Sequence, residues 1–174
     1  IAGVGDTIAK IDFILNEMDI FSVNKINITN RFRFNIVPRF NTLKFVGDKN
    51  FLLNGDIYIG NFAFSGSDIL FNYDDFAFSF SQKSILSFLQ DGQDQLSSSL
   101  IHFDDGVLVI DTLDNKSGIS TLNNFPKFKI DKPAYLSYLN NPVSFLINPF
   151  EINYLHDFSL ENLSFSGNLY LDSL

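Results

Sequence analysis

The chain has 174 residues and a formal net charge of -8, a balance that excludes a nucleic-acid surface, because phosphate binding needs clustered Lys and Arg. Without cysteine it can form neither disulfides nor thiolate metal sites, and no apolar run approaches the roughly 20 residues of a membrane-spanning helix. Phenylalanine occurs 21 times, against one methionine and no tryptophan, and supplies apolar area with no polar group to satisfy.

Residues 6 to 21 carry two periods at once. Ile8, Ile11, Leu15 and Met18 fit a helical stripe, whereas Ile11, Phe13 and Leu15 fit alternation; the reading adopted is strand. Alternation continues from Val23 to Ile36 with one change of phase, and Arg31 and Arg33, set between Phe32 and Phe34, read as the wet face of a strand rather than an anion site. Pro38 interrupts it, since proline cannot donate to a sheet ladder.

Asn50 to Ser81 is the clearest region. It predicts about four short strands divided by Gly55-Asp56, Ser65-Gly66-Ser67-Asp68 and Tyr73-Asp74-Asp75. Leu53-Asn54-Gly55-Asp56-Ile57, Phe64-Ser65-Gly66-Ser67-Asp68-Ile69 and, near the end, Phe165-Ser166-Gly167-Asn168-Leu169-Tyr170-Leu171 repeat one phrase. In the first and last copies the glycine stays in phase with the apolar residues. A glycine inside a strand marks a bulge, a bend or a close approach, so the sheet is expected to curve.

Gln82 to Ser99 loses alternation; Ile85, Leu86, Phe88 and Leu89 fit one or two helical turns covering a sheet end, with a sub-boundary near residues 82–99. Val107 to Ile110 is continuously apolar, like a strand buried on both faces. Asp114 to Gly118 reads as a turn. Pro126, Pro133, Pro142 and Pro149 predict an extended but irregular stretch, after which Phe145, Ile147 and Ile152 restore strand character before the final repeat. The fold expected is therefore all-β: a curved antiparallel sheet of short strands with at most one or two short helices, the alternative being a closed β-sandwich. Residues 1–174 form one β-rich segment, read as part of a longer chain because it opens on Ile1 without an initiator methionine.

Catalytic signatures are missing from this reading. His102 and His156 have no partner at metal-binding spacing, and Asp74-Asp75, Asp104-Asp105 and Asp111 read as solvated turn carboxylates rather than an acid–base pair. Asp104, Asp105, Asp111, Asp114 and Asn115 could gather around calcium, although no EF-hand loop or nonapeptide repeat is present. No enzyme activity, cofactor or metal is expected. What stands out is an apolar face made of Phe62, Phe64, Phe76, Phe78, Phe80, Phe165, Leu169 and Leu171. Either it packs against a second layer, or it lines a groove for acyl chains, as large exposed apolar surfaces mark binding sites. An outer-membrane barrel fits less well, needing strands of about 9 to 11 regular residues.

The glycine phrases, together with Asp114-Asn115-Lys116-Ser117-Gly118, Lys132-Pro133-Ala134-Tyr135 and Asn148-Pro149-Phe150, resemble the large AsmA-like or TamB-like cell-envelope proteins of Bacteroidetes. That resemblance implies a long curved β-groove, anchored at the inner membrane by a segment outside this chain, whose greasy interior carries phospholipid through the periplasm and which meets other envelope proteins. It implies no catalytic residue. The competing expectation is a structural or adhesive β-sandwich module of a secreted or cell-surface protein.

Overall fold

The computed structural model describes residues 8–29, 33–89, 99–116, 124–138 and 143–171. A first hairpin, β1 (Ala9–Asp12) and β2 (Glu17–Phe21), is followed by β3 (Ile26–Thr29), β4 (Phe34–Pro38) and β5 (Thr42–Val46). Two long strands, β6 (Asn50–Ile59) and β7 (Phe62–Asn72), form the central hairpin, and β8 (Ala77–Phe80), β9 (Ser84–Phe88), β10 (Ser99–Phe103) and β11 (Gly106–Val109) come next. β12 (Lys127–Ile130), β13 (Ala134–Tyr138), β14 (Val143–Ile147), β15 (Phe150–Ile152) and β16 (Gly167–Leu171) complete one 16-stranded antiparallel sheet that is not closed into a barrel. Helical geometry among the described residues is limited to single 3-10 turns.

The sheet is folded in two, and the central hairpin is where it folds. Asn50–Leu52 of β6 pair with β5 on one edge, and Gly55–Ile59 pair with β4 on the same edge. β7 divides likewise, Phe62–Ser65 pairing with β9 and Leu70–Asn72 with β8. The division falls at a bulge, where Leu53 faces Ile69 and Gly55 faces Gly66, leaving Asn54 opposite Ser67 and Asp68. An extra residue in one strand bends it and raises its twist. Asp68 takes up the bend in left-handed conformation (φ 50), its amide donating to Asn54 Oδ1 at 2.8 Å. Gly55 is required here, because a Cβ would lie 2.3 Å from the Val37 carbonyl oxygen and 2.9 Å from the Arg39 nitrogen.

Two wings result. One runs β1-β2-β5-β6-β7-β8-β11-β12-β15 and the other β3-β4-β6-β7-β9-β10-β13-β14-β16. The links 22–25, 39–41, 81–83, 104–105, 131–133 and 148–149 each cross from one wing to the other at the fold line. The molecule is thus a continuous meander creased once, a trough with both walls made of the same sheet. Strands that change layer through bulges or short corners are the usual way to build such a crease.

The inner walls follow from the period of two. In β6 the inward residues Phe51, Leu53, Gly55, Ile57 and Ile59 are buried and their neighbours are not. Across the first wing, register aligns one apolar row: Ile11, Met18, Phe45, Phe51, Phe71, Phe78, Leu108, Phe128 and Ile152. Across the second it aligns another: Ile26, Ile36, Ile57, Phe64, Leu86, Ile101, Leu136, Phe145 and Leu169. At about 4.8 Å per strand, each row is on the order of 40 Å long.

Several sequence expectations need correction. Gly55-Asp56 and Ser65-Gly66 are paired strand and Ser67-Asp68 is bulge, none of them turn, so Asn50 to Ser81 holds three strands instead of about four, and the hairpin turns at Gly60-Asn61. Ser84 to Phe88 is strand β9, held between β7 and β10; alternation is lost because Ser84, Leu86, Ser87 and Leu89 are all buried, not because the segment is helical. Val107 is 39% exposed, so β11 is buried on one face only. Pro126, Pro133 and Pro149 each sit directly before a strand, where no ladder donor is lost, so the described strands β12 to β15 are regular where an irregular stretch was expected. Pro142, Arg31 and Phe32 lie outside the described residues, while residues 8–21 form a β-hairpin as read.

Candidate functional site

The expected apolar face divides by position along the trough. Phe62, Phe64 and Phe78 have no exposed surface and Phe80 has 1%, since rings from the two wings interleave. Phe64 meets Phe80 at 5.9 Å and Phe128 at 4.8 Å, and Phe78 meets Phe34 at 6.5 Å. These are edge-on or tilted contacts, the arrangement favoured by ring quadrupoles. Phe76 is not in the strand but ends the β7–β8 turn with φ 50, half-buried against Phe71. Phe165 is half-buried against Phe150 at 4.8 Å. Leu169 is 63% exposed, and Leu171 belongs to β16, its side chain lying outside the described residues.

Phe128 was missed as a site residue. It touches Phe64, Phe80, Phe103 and Phe150, joining both walls and the end of the trough. Its signal was legible in the alternation Lys127-Phe128-Lys129-Ile130 but was hidden by the nearby prolines.

Residues 153–166 were not read as an element; Phe165 and Ser166, taken as the start of the final strand phrase, precede β16 and belong to this segment. The segment leaves β15 in one wing, reaches β16 in the other, and on the way spans the trough's mouth. The Leu155 amide donates to the Pro126 carbonyl beside the rim of the first wing. The Leu155 and His156 carbonyls press on Gly60 at the rim of the second, 2.5 and 2.9 Å from where a Cβ would stand. Phe158 packs on Phe62 at 5.7 Å, and Leu160, Leu163 and Phe165 cover the core further along. This strap closes the mouth over the Phe-rich middle.

At each end one of the two walls runs out uncovered, while Ile152 at the far end of the first row is buried and Ile26 at the start of the second is half-buried. Ile11, which opens the first row, is 54% exposed, and Leu169, which closes the second, is 63% exposed. Beneath the β1–β2 turn lies a cleft of ≈ 260 Å³ lined by Ile11, Phe13, Met18 and Phe45 with Asp12, Asn16, Glu17, Gly47 and Asp48. Glu17 accepts from Lys44 at 2.8 Å, and that hydrogen bond holds the ammonium above its usual range.

The polar candidates do not assemble. His102 sits on the outer face of its wing between Ile85 and Tyr135, while His156 belongs to the strap, its ring against Tyr154 at 4.2 Å. Burial pushes the His156 imidazole below its ordinary range, against the opposing pull of Asp157 and of a hydrogen bond to the Phe125 backbone. The calcium candidates are split by β11, which places Asp105 and Asp111 at its opposite ends, about 20 Å apart for an extended chain. Asp111 accepts from Asn115 at 2.7 Å, and Asp105 pairs with Lys132 at 2.9 Å across the fold line. Among the described residues no three His, Asp or Glu side chains gather as metal ligands, and no helix is long and apolar enough to cross a membrane. Comparison with protein families, with curated proteins and with solved structures finds no match for this chain.

Proposed function

We propose that this chain is a non-catalytic section of a β-groove in a cell envelope that shields acyl chains between membranes, as its resemblance to AsmA-like and TamB-like proteins implies. The observation that carries the reading is the pair of apolar rows that run the length of the trough and emerge exposed at Ile11 and Leu169. A self-contained module turns polar or covers itself at its end strands; here the greasy wall continues to the last strand on both sides. Exposed apolar surface of this kind marks an interaction site. In this reading the acyl chain lies against the open ends, where Ile11, Met18, Phe45, Phe145 and Leu169 act as solvent for hydrocarbon without directed bonds.

The interleaved rings of the middle favour a second reading, a structural or adhesive β-sandwich module of a secreted or surface protein, since Phe62, Phe64 and Phe78 offer no surface to a ligand. Native mass spectrometry separates the two. Gently extracted protein is expected to carry copurifying phospholipid, and an Ile11→Asp, Leu169→Asp double variant of unchanged melting temperature is expected to lose it. Lipid-free protein from the same extraction rejects the groove and leaves the sandwich.

A further inference from the structure

We propose that the β1–β2 turn is a membrane anchor that inserts Phe13, Ile14 and Leu15 into the boundary layer of a zwitterionic phospholipid bilayer. These three consecutive side chains are 89%, 95% and 63% exposed. A run of large apolar residues left bare at a hairpin tip has no role in the chain's own core, and contiguous exposed apolar surface indicates a partner.

The turn itself suits a lipid partner. Entering a bilayer is costly for backbone groups that lack hydrogen bonds. Here the Asp12 carboxylate oxygen Oδ1 already accepts from the Ile14 amide at 2.9 Å and the Leu15 amide at 3.0 Å. The Asn16 carbonyl accepts from the Gly47 amide at 3.0 Å, tying the tip to the β5–β6 turn. The tip thus presents apolar side chains on a backbone whose Ile14 and Leu15 amides and Asn16 carbonyl are already engaged.

Charge selects the bilayer. Asp12, Glu17 and Asp48 flank the tip, Lys44 is taken up by Glu17, and the whole chain carries -8. An anionic leaflet attracts basic segments and repels this one, so a surface without net charge is the occupant that fits. Position agrees, because the cleft under the tip is lined by Ile11, Met18 and Phe45, the first three residues of one apolar row. Its lining is mixed, with Asp12, Asn16, Glu17 and Asp48 beside these apolar side chains, so it is an open cleft at the foot of the tip and not a closed apolar cavity. The choice of lipid over protein as occupant rests on the groove reading.

The chain has no tryptophan, so Ile14→Trp supplies a sole tryptophan, excited selectively beyond the absorption of the tyrosines, at the most exposed tip position. With phosphatidylcholine vesicles its emission is expected to shift to the blue and to be quenched by acyl-chain-brominated lipid. The Phe13→Ser, Ile14→Ser, Leu15→Ser variant is expected to partition at least roughly tenfold more weakly than the unaltered chain, with an unchanged melting curve because the replaced residues touch solvent. Emission unmoved by vesicles, equal partitioning of the triple variant, or binding confined to anionic vesicles overturns the anchor. Vesicle binding by a protein that purifies without lipid rejects the groove and leaves the anchor standing, so the two ideas fail separately.

Discussion

The middle of the trough and its ends are built from the same alternation but do opposite things with it. In the middle, walls four residues deep on one side of the crease and five on the other face each other and exclude everything but their own rings, as Phe64, Phe80 and Phe128 do. At the ends the same inward positions hold Ile11 and Leu169, whose strands have a neighbour on one side only among the described residues. Burial is therefore a property of place in the meander rather than of residue type, and substitutions at matched inward positions test that contrast.

The largest difference is expected from truncating those side chains. Phe64→Ala and Phe128→Ala each remove a ring with little or no exposure and are expected to cost about 3–5 kcal/mol. Ile11→Ala and Leu169→Ala are expected to cost within about 0.5 kcal/mol, as for surface positions. Urea denaturation midpoints at constant m-value measure both. Equal losses at the two places mean that the ends are covered and the trough is a closed module.

The crease provides the next contrast. Gly55→Ala sets a methyl group 2.3 Å from the Val37 carbonyl, a backbone atom that cannot rotate away, and is expected to cost about 3 kcal/mol, the upper part of the range for overpacking. Gly47, at the open rim with φ +66 and nothing within 4 Å of a Cβ, pays only for its left-handed backbone, about 1 kcal/mol in an alanine variant. Asn54→Ala is expected to cost less than either, about 0.5–1 kcal/mol, through loss of the 2.8 Å bond that the Asp68 amide makes to its side chain. Reversal of the two glycine variants breaks the assignment of Gly55 to a fold line.

How much of this could be read from residues alone divides along the same line. The walls were legible, because period two survives wherever one face is buried and the other wet, as in β6. The crease was half legible: in-phase glycines announced a bend, but which strands make up each wall depends on pairings between residues as distant as Ile36 and Ile57 on one side and Leu108 and Phe128 on the other. β9 was misread because strands on both of its edges and side chains on both of its faces bury it, which erases alternation. The strap was invisible. Its apolar residues Leu155, Phe158, Leu160 and Leu163 follow neither period, since a segment lying across a mouth is positioned by what it covers and not by a ladder of its own; Phe165 alone was noticed, as part of the strand that follows.

The strap is also where middle and ends meet, and it carries the smallest effect expected. Burial lowers the pKa of His156 in the folded protein, whereas the unfolded chain keeps the ordinary value near 6.5. Between the two values the unfolded state binds more protons, so stability falls as pH drops below about 6.5 and levels off once the pH is under the folded value. Protonation charges a ring that lies against Tyr154, in a strap whose backbone carbonyls bear on Gly60, which predicts that the strap opens before the walls do. Relative to the intrinsic rate, which itself slows as pH falls, hydrogen exchange of residues 153–166 is expected to quicken between pH 7 and 5.5 while β6 and β7 keep their protection. In His156→Gln, which cannot titrate, that acceleration is expected to vanish. If it persists, acid acts on the carboxylates of the surface and not at the mouth; if the walls and the strap open together, the trough has no separable lid and its middle is sealed at every pH at which the protein is folded.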